Sequence, residues 1–373
     1  MIRVIAILGA TPKFEATVLS DQVKVRSKLE LSDERAVIPV AEIIDLVSVI
    51  FQNIGCSPEI SRQVAEHLAD ANLCGMESHG LMRTLQYADQ FESGYMRADV
   101  QPEITTTERG ATIVDGNGGI GIPAMHLAID EGCRLAQRQG VSAVAIRNVG
   151  HTGRLGAFTE AAAYRGFLSI CFGGGGRQKW RQVAPYGGRK AMLPTNPYSI
   201  AVPGGERGPM MFDFATSKIA GGWIYAARSA GARLPDNVLM NSQGVVTRDP
   251  EDYFRGGAIM PSGGHKGYAL ALAAEIVAEA MLGPTETEGS WLLLTLDTSR
   301  YREATTMQRI AEEILDELRN CPPAPGFERV EIPGEREREH RDRTVGSGIA
   351  LPRQTWQQIR ALAERLGNDR RAT

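Results

Sequence analysis

Four segments of the chain combine residue types and spacings that can do chemistry. In the first, His79, Arg83 and Tyr87 follow one another at i, i+4 and i+8. On a helix they share one face and present an imidazole, a guanidinium and a phenol in a row. The planar fork of Arg83 suits a carboxylate. The lead-in Glu77-Ser78 would set His79 at a helix N-terminus, where backbone amides favour an anion. The same spacing also fits an exposed polar helix face. The second segment, Asn148 to Gly156 (NVGHTGRLG), sets His151 between glycines just after a strand of buried type. Backbone there can be approached from both sides, and an imidazole is the natural general acid/base; a plain loop histidine is the alternative. The third is Gly173 to Gly176, followed by Pro185-Tyr186-Gly187-Gly188 and Thr195-Asn196-Pro197. Such backbone can offer amides to phosphate oxygens, although Gly176-Arg177 lacks the Lys-Ser/Thr ending of a P-loop. The fourth, Ser262 to Tyr268 (SGGHKGY), opens an apolar helix, so Lys266 adds its charge to the helix dipole and suits a phosphate or a ribose. No HExxH or HxH spacing occurs, and no metal site is expected.

These segments need elements to hold them. Ile43, Ile44, Val47 and Ile50 recur at helical spacing. Ser57-Pro58 reads as an N-cap with proline in the first turn of a helix reaching Leu73. Another helix is expected over about Gly80 to Glu92. Short strands are expected at Ala111–Asp115, Val141–Ile146, Leu168–Phe172, Tyr198–Val202, Met210–Phe214 and Trp291–Leu296, and further helices at Pro123–Gln139, Gly267–Leu282, Thr305–Asn320 and Pro352–Leu366. The run at 335–343 (EREREHRDR) reads as a solvated turn or helix face. The class is α+β, with helical ends around a strand-rich, glycine-rich middle.

Gly116-Asn-Gly118-Gly-Ile-Gly121 satisfies GxGxxG after a strand and before a helix. A dinucleotide-binding Rossmann unit also wants an acid at the end of the next strand. That strand ends Ile146-Arg147-Asn148, and the later strands are joined by loops, so a tight turn and helix start is the reading preferred.

The composition excludes several classes of function. The formal net charge is −3, which leaves no electrostatic footprint for nucleic acid or an anionic membrane. The longest mainly apolar stretch, Tyr268 to Leu282, is interrupted by Glu275 and Glu279 and is short of the ~20 residues a span needs. Met1 to Leu8 lacks the h-region of a secretory signal, and the five cysteines are scattered without a CxxC, so a reducing, cytoplasmic setting is expected. Glycine stands out at 41 of 373 residues, most of it between Gly110 and Gly267, where backbone comes close to something.

Taken in order, Gly75–Arg83 (GMESHGLMR), Asn148–Gly156, Pro185–Pro197 (PYGGRKAMLPTNP), Asp213–Ser217 (DFATS), Gly263–Leu270 (GGHKGYAL), Phe327–Glu335 (FERVEIPGE) and Gly348–Trp356 (GIALPRQTW) resemble the malate/L-lactate dehydrogenase family. The likeness runs over about residues 40–367. It implies a family-specific, non-Rossmann fold: a helical domain over 37–109 joined by 335–373, and a larger mixed-sheet, cofactor-binding domain over 110–334. Residues 1–36 would be an N-terminal extension without counterpart. The resemblance implies NAD or NADP as cofactor, a small carboxylate substrate and a homodimer. By position it makes His151 the general acid/base with His79 beside it, and assigns Ser78, Arg83 and Tyr87 to the substrate. Gly174, Gly175, Asn196, Asp213, Phe214, Ala215 and Lys266 match the cofactor region, with Gly334 and Glu335 reaching it from the tail of that domain. Two departures stand out. Cys74 occupies the place of an arginine usual before the first glycine, and Glu77 replaces an aspartate.

The activity implied is hydride transfer between the nicotinamide and a 2-hydroxy or 2-oxo acid of the malate, lactate, sulfolactate or ureidoglycolate kind. Reduction of a cyclic imine carboxylate is the alternative within the family. A catalytically silent cofactor-binding protein is the alternative of another class.

Overall fold

The computed structural model describes residues 34–229, 231–283 and 287–372. The readings made for Met1–Leu8, and for the extension up to residue 33, lie outside the described residues.

In chain order the first elements are β1 (Arg35–Ile38), α1 (Val40–Ile54), α2 (Pro58–Leu73), α3 (Arg83–Glu92), β2 (Glu103–Thr106), β3 (Thr112–Gly119), α4 (Gly121–Gln139), β4 (Val141–Val149), α5 (Gly156–Tyr164) and β5 (Phe167–Gly174). There follow β6 (Tyr198–Gly205), β7 (Gly208–Phe214), α6 (Gly221–Ser229), β8 (Leu239–Met240), β9 (Val246–Thr247), α7 (Glu251–Phe254) and β10 (Ala258–Ile259). The last are α8 (His265–Glu275), β11 (Gly289–Asp297), α9 (Ala304–Arg319), α10 (Glu335–Thr344), β12 (Ile349–Pro352) and α11 (Arg353–Ala372).

Seven strands form one mixed sheet in the order β2-β3-β4-β11-β5-β6-β7. Only β3 and β4 pair in parallel, joined by α4; the other neighbours are antiparallel. A doubly wound sheet needs parallel strands in succession, so the expected mixed α and β architecture stands. Burial along β5 alternates residue by residue, the period of a pleated strand. A small antiparallel sheet, β10-β8-β9, lies apart with its own core of Val183, Leu193, Ile224, Leu239 and Ile259.

The two ends of the described chain meet. β1 pairs antiparallel with β12, and α1 packs on α11. Ser57 caps α2 by accepting from the Ile60 amide at 3.2 Å, and Gly55 ends α1 in a left-handed turn. The main core runs without interruption from Ile43, Phe51, Leu68 and Tyr87 of these helices to Ile122, Met125, Val144, Ile146, Phe158 and Leu293 of the sheet and its helices.

Three expectations are corrected. The helix expected over Gly80–Glu92 begins only at Arg83. His79 sits in a separate 3-10 turn, Glu77–His79, because the Asn72 carboxamide packs on Gly80 and accepts from the Leu81 amide at 2.7 Å. The expected helix to Leu282 leaves the α geometry after Glu275 and continues as a π-helix, Ile276–Met281. The 335–343 run forms a helix, but only part of it is solvated: Arg336, Asp342 and Arg343 are exposed. Glu335 and Glu337 are buried, Arg338 pairs with Glu160 at 2.9 Å, and His340 Nδ1 lies 2.7 Å from the Leu73 carbonyl oxygen.

Candidate active site

β4 delivers His151 to its place. Asn148, with φ of 51°, turns the chain and is held by the Asp115 carboxylate, which accepts from its Nδ2 at 2.9 Å. Gly150 N then donates to Gly119 O at 2.8 Å, and Gly121 N to His151 O at 3.1 Å. A side chain at Gly121 would stand 2.6 Å from the Gly150 carbonyl. The GxGxxG glycines therefore let this loop lie against the start of α4. The first amide of α4 is taken by the chain that carries His151.

His151 Nδ1 has two partners, the Tyr87 hydroxyl at 2.6 Å and the Gly153 amide at 3.2 Å. An amide can only donate, so Nδ1 accepts and the neutral ring carries its proton on Nε2. Burial, Arg83 and His79 hold the imidazole well below its ordinary pKa. His79 stacks on His151 at 5.7 Å, with its own Nδ1 3.0 Å from Ser78 Oγ; burial and Arg83 push its pKa down to about 3. Arg83 Nε donates to Ser78 O at 2.7 Å and Nη1 to Gln86, while Nη2 has no hydrogen-bond partner among the described residues. The helical stripe read from spacing is thus broken, yet His79, Arg83, Tyr87 and Ser78 do gather around His151. Tyr87 is completely buried, and burial raises its phenol pKa.

A second cluster forms where three loops run side by side. Thr216 N donates to Thr195 O at 3.0 Å, Ser262 N to Thr216 O at 2.8 Å, and Gly173 N to Pro197 O at 3.4 Å. This gathers Asn196, the Asp213-Phe214-Ala215 strand end, the tetraglycine loop and the start of α8 with Lys266. Asp213 ties the two clusters together, since its Oδ2 accepts from Gly156 N at 2.7 Å, just beyond the His151 loop. Asn196 is fully buried and its Oδ1 has no partner among the described residues. Lys266 is exposed at the α8 N-terminus, behind Gly263 and Gly264, both with positive φ. The glycine loop differs from expectation in one respect. The amides of Gly175 and Arg177 do not face outward for a phosphate; Glu275 accepts both, at 3.0 and 3.1 Å. The same carboxylate accepts from Asn196 Nδ2 at 2.7 Å.

Gly334 and Glu335 lie along the β7 edge. Met211 N donates to Pro333 O at 3.1 Å, Gly334 precedes α10, and Arg319 Nε donates to Glu335 at 3.0 Å.

Residues 38–360 match the family described as malate/L-lactate dehydrogenase. The chain belongs to that family. A Δ(1)-pyrroline-2-carboxylate/Δ(1)-piperideine-2-carboxylate reductase from Pseudomonas putida is 30% identical over 344 residues, covering 88% of this chain and 97% of the relative. A malate dehydrogenase from Pyrococcus abyssi is 29% identical over 354 residues, covering 88% and 95%. The crystal structure of malate dehydrogenase from Entamoeba histolytica superposes with a TM-score of 0.83 at 24% identity, over 90% of this chain and 99% of that one. The malate/L-lactate dehydrogenase fold is therefore that of the chain.

Within this family frame the Cys74 departure has a local account. The thiol is buried and pushed up to about 11 by burial, and Arg341 of α10 donates to its sulfur at 3.3 Å while pairing with Asp70. A guanidinium from the far end of the chain thus stands at the small side chain. Glu77 pairs with Arg35 of β1.

Sequence reasoning missed Glu275, which was visible only as an interruption of an apolar run.

Proposed function

We propose that the protein transfers hydride between a nicotinamide dinucleotide and a small 2-hydroxy or 2-oxo acid. The observation that carries this reading is the group of His151, Tyr87, His79 and Arg83 around one buried point.

The donor set near Asn196 and Lys266 suits a dinucleotide. Asn196 Oδ1 is a buried acceptor with no partner among the described residues, fit for an amide donor, and Lys266 at a helix start is fit for phosphate. Gly174, Gly175, Asp213, Phe214 and Ala215 would line the same holder. Gly334 and Glu335 would contribute only through the β7 edge. When bound, the nicotinamide gives or takes the hydride. Arg83 would hold the substrate carboxylate with Nη2. His151 would give its Nε2 proton to the substrate oxygen in the reduction and take it back in the oxidation. A hydroxyl partner suits that exchange, because Tyr87 can pass its proton to Nδ1 as Nε2 loses one and reclaim it in the reverse direction. Ser78 would keep His79 oriented next to it.

Reduction of a cyclic imine carboxylate is the second reading, favoured by the identity to the Pseudomonas putida reductase. A homodimer in the cytoplasm with NAD or NADP completes the proposal. Among the described residues no helix is long and apolar enough to cross a membrane, and four of the five free thiols are buried.

The test is absorbance at 340 nm with both cofactors and a panel of hydroxy acids, oxo acids and cyclic imines. H151A should lower oxo-acid turnover by ~10²–10⁴-fold with the fold intact. R83A should raise KM for the acid far more than for the cofactor. Turnover of no substrate with either cofactor would leave the silent binding protein as the reading.

A further inference from the structure

The amide that decides which nitrogen of His151 carries the proton is itself held from behind. Gly153 N donates to His151 Nδ1 at 3.2 Å, and one residue on, Arg154 N donates to Nε2 of His67 on α2 at 3.0 Å. His67 also lies against Gly153. A side chain there would stand 2.2 Å from His67 Nε2, and the φ of Gly153 is 71°. Glycine thus lets the backbone rest on the edge of this second imidazole. The ring has little freedom of its own: it is buried, stacks on Phe158 at 4.9 Å and stands at right angles to His126 at 6.4 Å. An amide can only donate, so Nε2 of His67 accepts and the neutral ring keeps its proton on Nδ1. Burial and Arg154 hold its pKa at about 3, which secures the neutral form. Three residues along α2, Asp70 takes the Arg154 guanidinium at 2.8 Å, a second tie to the same loop. Asn72, also on α2, accepts from the Leu81 amide at 2.7 Å, just after the turn that carries His79. One helix therefore places both imidazoles that stack at 5.7 Å.

We propose that His67 is a positioning residue for the proton step: by accepting from the Arg154 amide it fixes the backbone at Gly153, whose own amide then keeps the transferable proton of His151 on Nε2. This rests on the reading of His151 as the proton donor and deepens it. In a neutral imidazole either nitrogen can hold the proton, and the partner of one nitrogen decides for both. The Tyr87 hydroxyl at 2.6 Å cannot decide, since a hydroxyl meets Nδ1 equally well as donor or as acceptor. The Gly153 amide can, because a proton on Nδ1 would set two donors face to face. Without an acceptor at residue 67 the Arg154 amide loses its buried partner and the backbone at Gly153 its anchor. The choice at His151 then passes to Tyr87, and part of the protein holds its proton on the nitrogen that faces away from the substrate.

The experiment compares wild type with His67→Gln, which keeps an acceptor, and His67→Leu, which has none. Nitrogen NMR of histidine-labelled protein at neutral pH reads the tautomers without any substrate, with the His151 and His67 signals assigned by their loss in H151A and in the His67 variants. Wild type should show His151 protonated on Nε2 and His67 on Nδ1. H67L should turn the His151 pattern into a mixture of tautomers, and H67Q should leave it as in wild type. Rates of NAD(P)H oxidation with pyruvate and oxaloacetate are measured alongside. H67L should lower kcat by ~10–100-fold, as a displaced catalytic group does, with KM for NAD(P)H within ~3-fold, and H67Q should recover most of that loss. An unchanged His151 pattern in folded H67L overturns the inference, as do equal losses of kcat in H67Q and H67L, which packing alone would give. Should H67L not fold, the wild-type spectrum decides: His67 protonated on Nε2, or His151 on Nδ1, overturns the inference, and the reverse pattern with an active H67Q upholds it. Full turnover in H151A would remove the general reading of His151, whereas loss in H151A with none in H67L removes only the role of His67.

Discussion

Tyr87 offers His151 the one kind of partner that serves Nδ1 both with and without a proton. Phenylalanine would fill the same buried volume beside Phe51, whose ring centre is 6.5 Å away, and remove only the hydroxyl. Y87F should therefore lower kcat for oxo acids by ~10–100-fold, leave KM for the acid within ~3-fold, and move the pH profile of kcat, as a lost hydrogen bond to a catalytic imidazole does. Stopped-time assays across pH with pyruvate or another accepted oxo acid measure it; a flat effect on kcat and KM together would mean that the hydroxyl only supports packing. Much at this scale was legible beforehand. His79, Arg83, Tyr87 and His151 carried their chemistry in their residue types and in motif context. Their assumed helical geometry was not legible, because the break before α3 depends on Asn72, a residue of another helix. His67 escaped because its burial and its bond to a loop amide are properties of the folded neighbourhood, not of a spacing.

At the scale of elements, α8 and the π-helix after it position the glycine loop from within. A π turn shifts the register of side chains along a helix axis and is frequent at functional sites. Here it follows directly on Glu275, whose buried carboxylate takes the two loop amides and Asn196. Arg177 adds a pair with Glu279 at 2.7 Å. E275Q keeps the shape but weakens these charge-assisted bonds, each worth ~1.5–3 kcal/mol. The proposed cofactor site should feel it first: KM for NAD(P)H rising ~10-fold, with acid KM nearly unchanged, measured by initial rates and by cofactor fluorescence titration. A rise confined to the acid would place the loop on the substrate side instead. The strands and most helices were legible because period-2 and period-3.6 patterns report burial directly. The GxGxxG motif shows the limit of local pattern. Its glycines are required by close approach, but what approaches is the His151 loop, and only the three-dimensional path of β4 reveals that.

For the whole molecule, the decisive contact is between the helices from the chain ends and the loop from the sheet. His67 of α2 is buried, stacks on Phe158 at 4.9 Å, and accepts from the Arg154 amide at 3.0 Å. Arg154 pairs in turn with Asp70 at 2.8 Å, and Arg341 of α10 pairs with the same acid. That 335–373 joins the first helices was expected from the family resemblance, but these contacts were not legible, since they join residues far apart in sequence through charges that read as solvated. The closure has a pH signature. Burial and Arg154 hold the His67 pKa at about 3, against an ordinary value of 6.5. The unfolded chain thus binds a proton that the folded chain refuses between those two values. Stability is complete above pH ~6.5 and falls on acidification by about 1.4 kcal/mol per pH unit for this one group, until the folded pKa is reached. His79 and His151, also held low, add in the same direction. Urea unfolding between mildly alkaline pH and pH ~5 should show this slope, and H67Q, which keeps an acceptor but cannot titrate, should reduce it by about 1.4 kcal/mol per unit. An unchanged slope in H67Q would mean that His67 accepts its proton within the fold, and that the helical and sheet parts are joined without it.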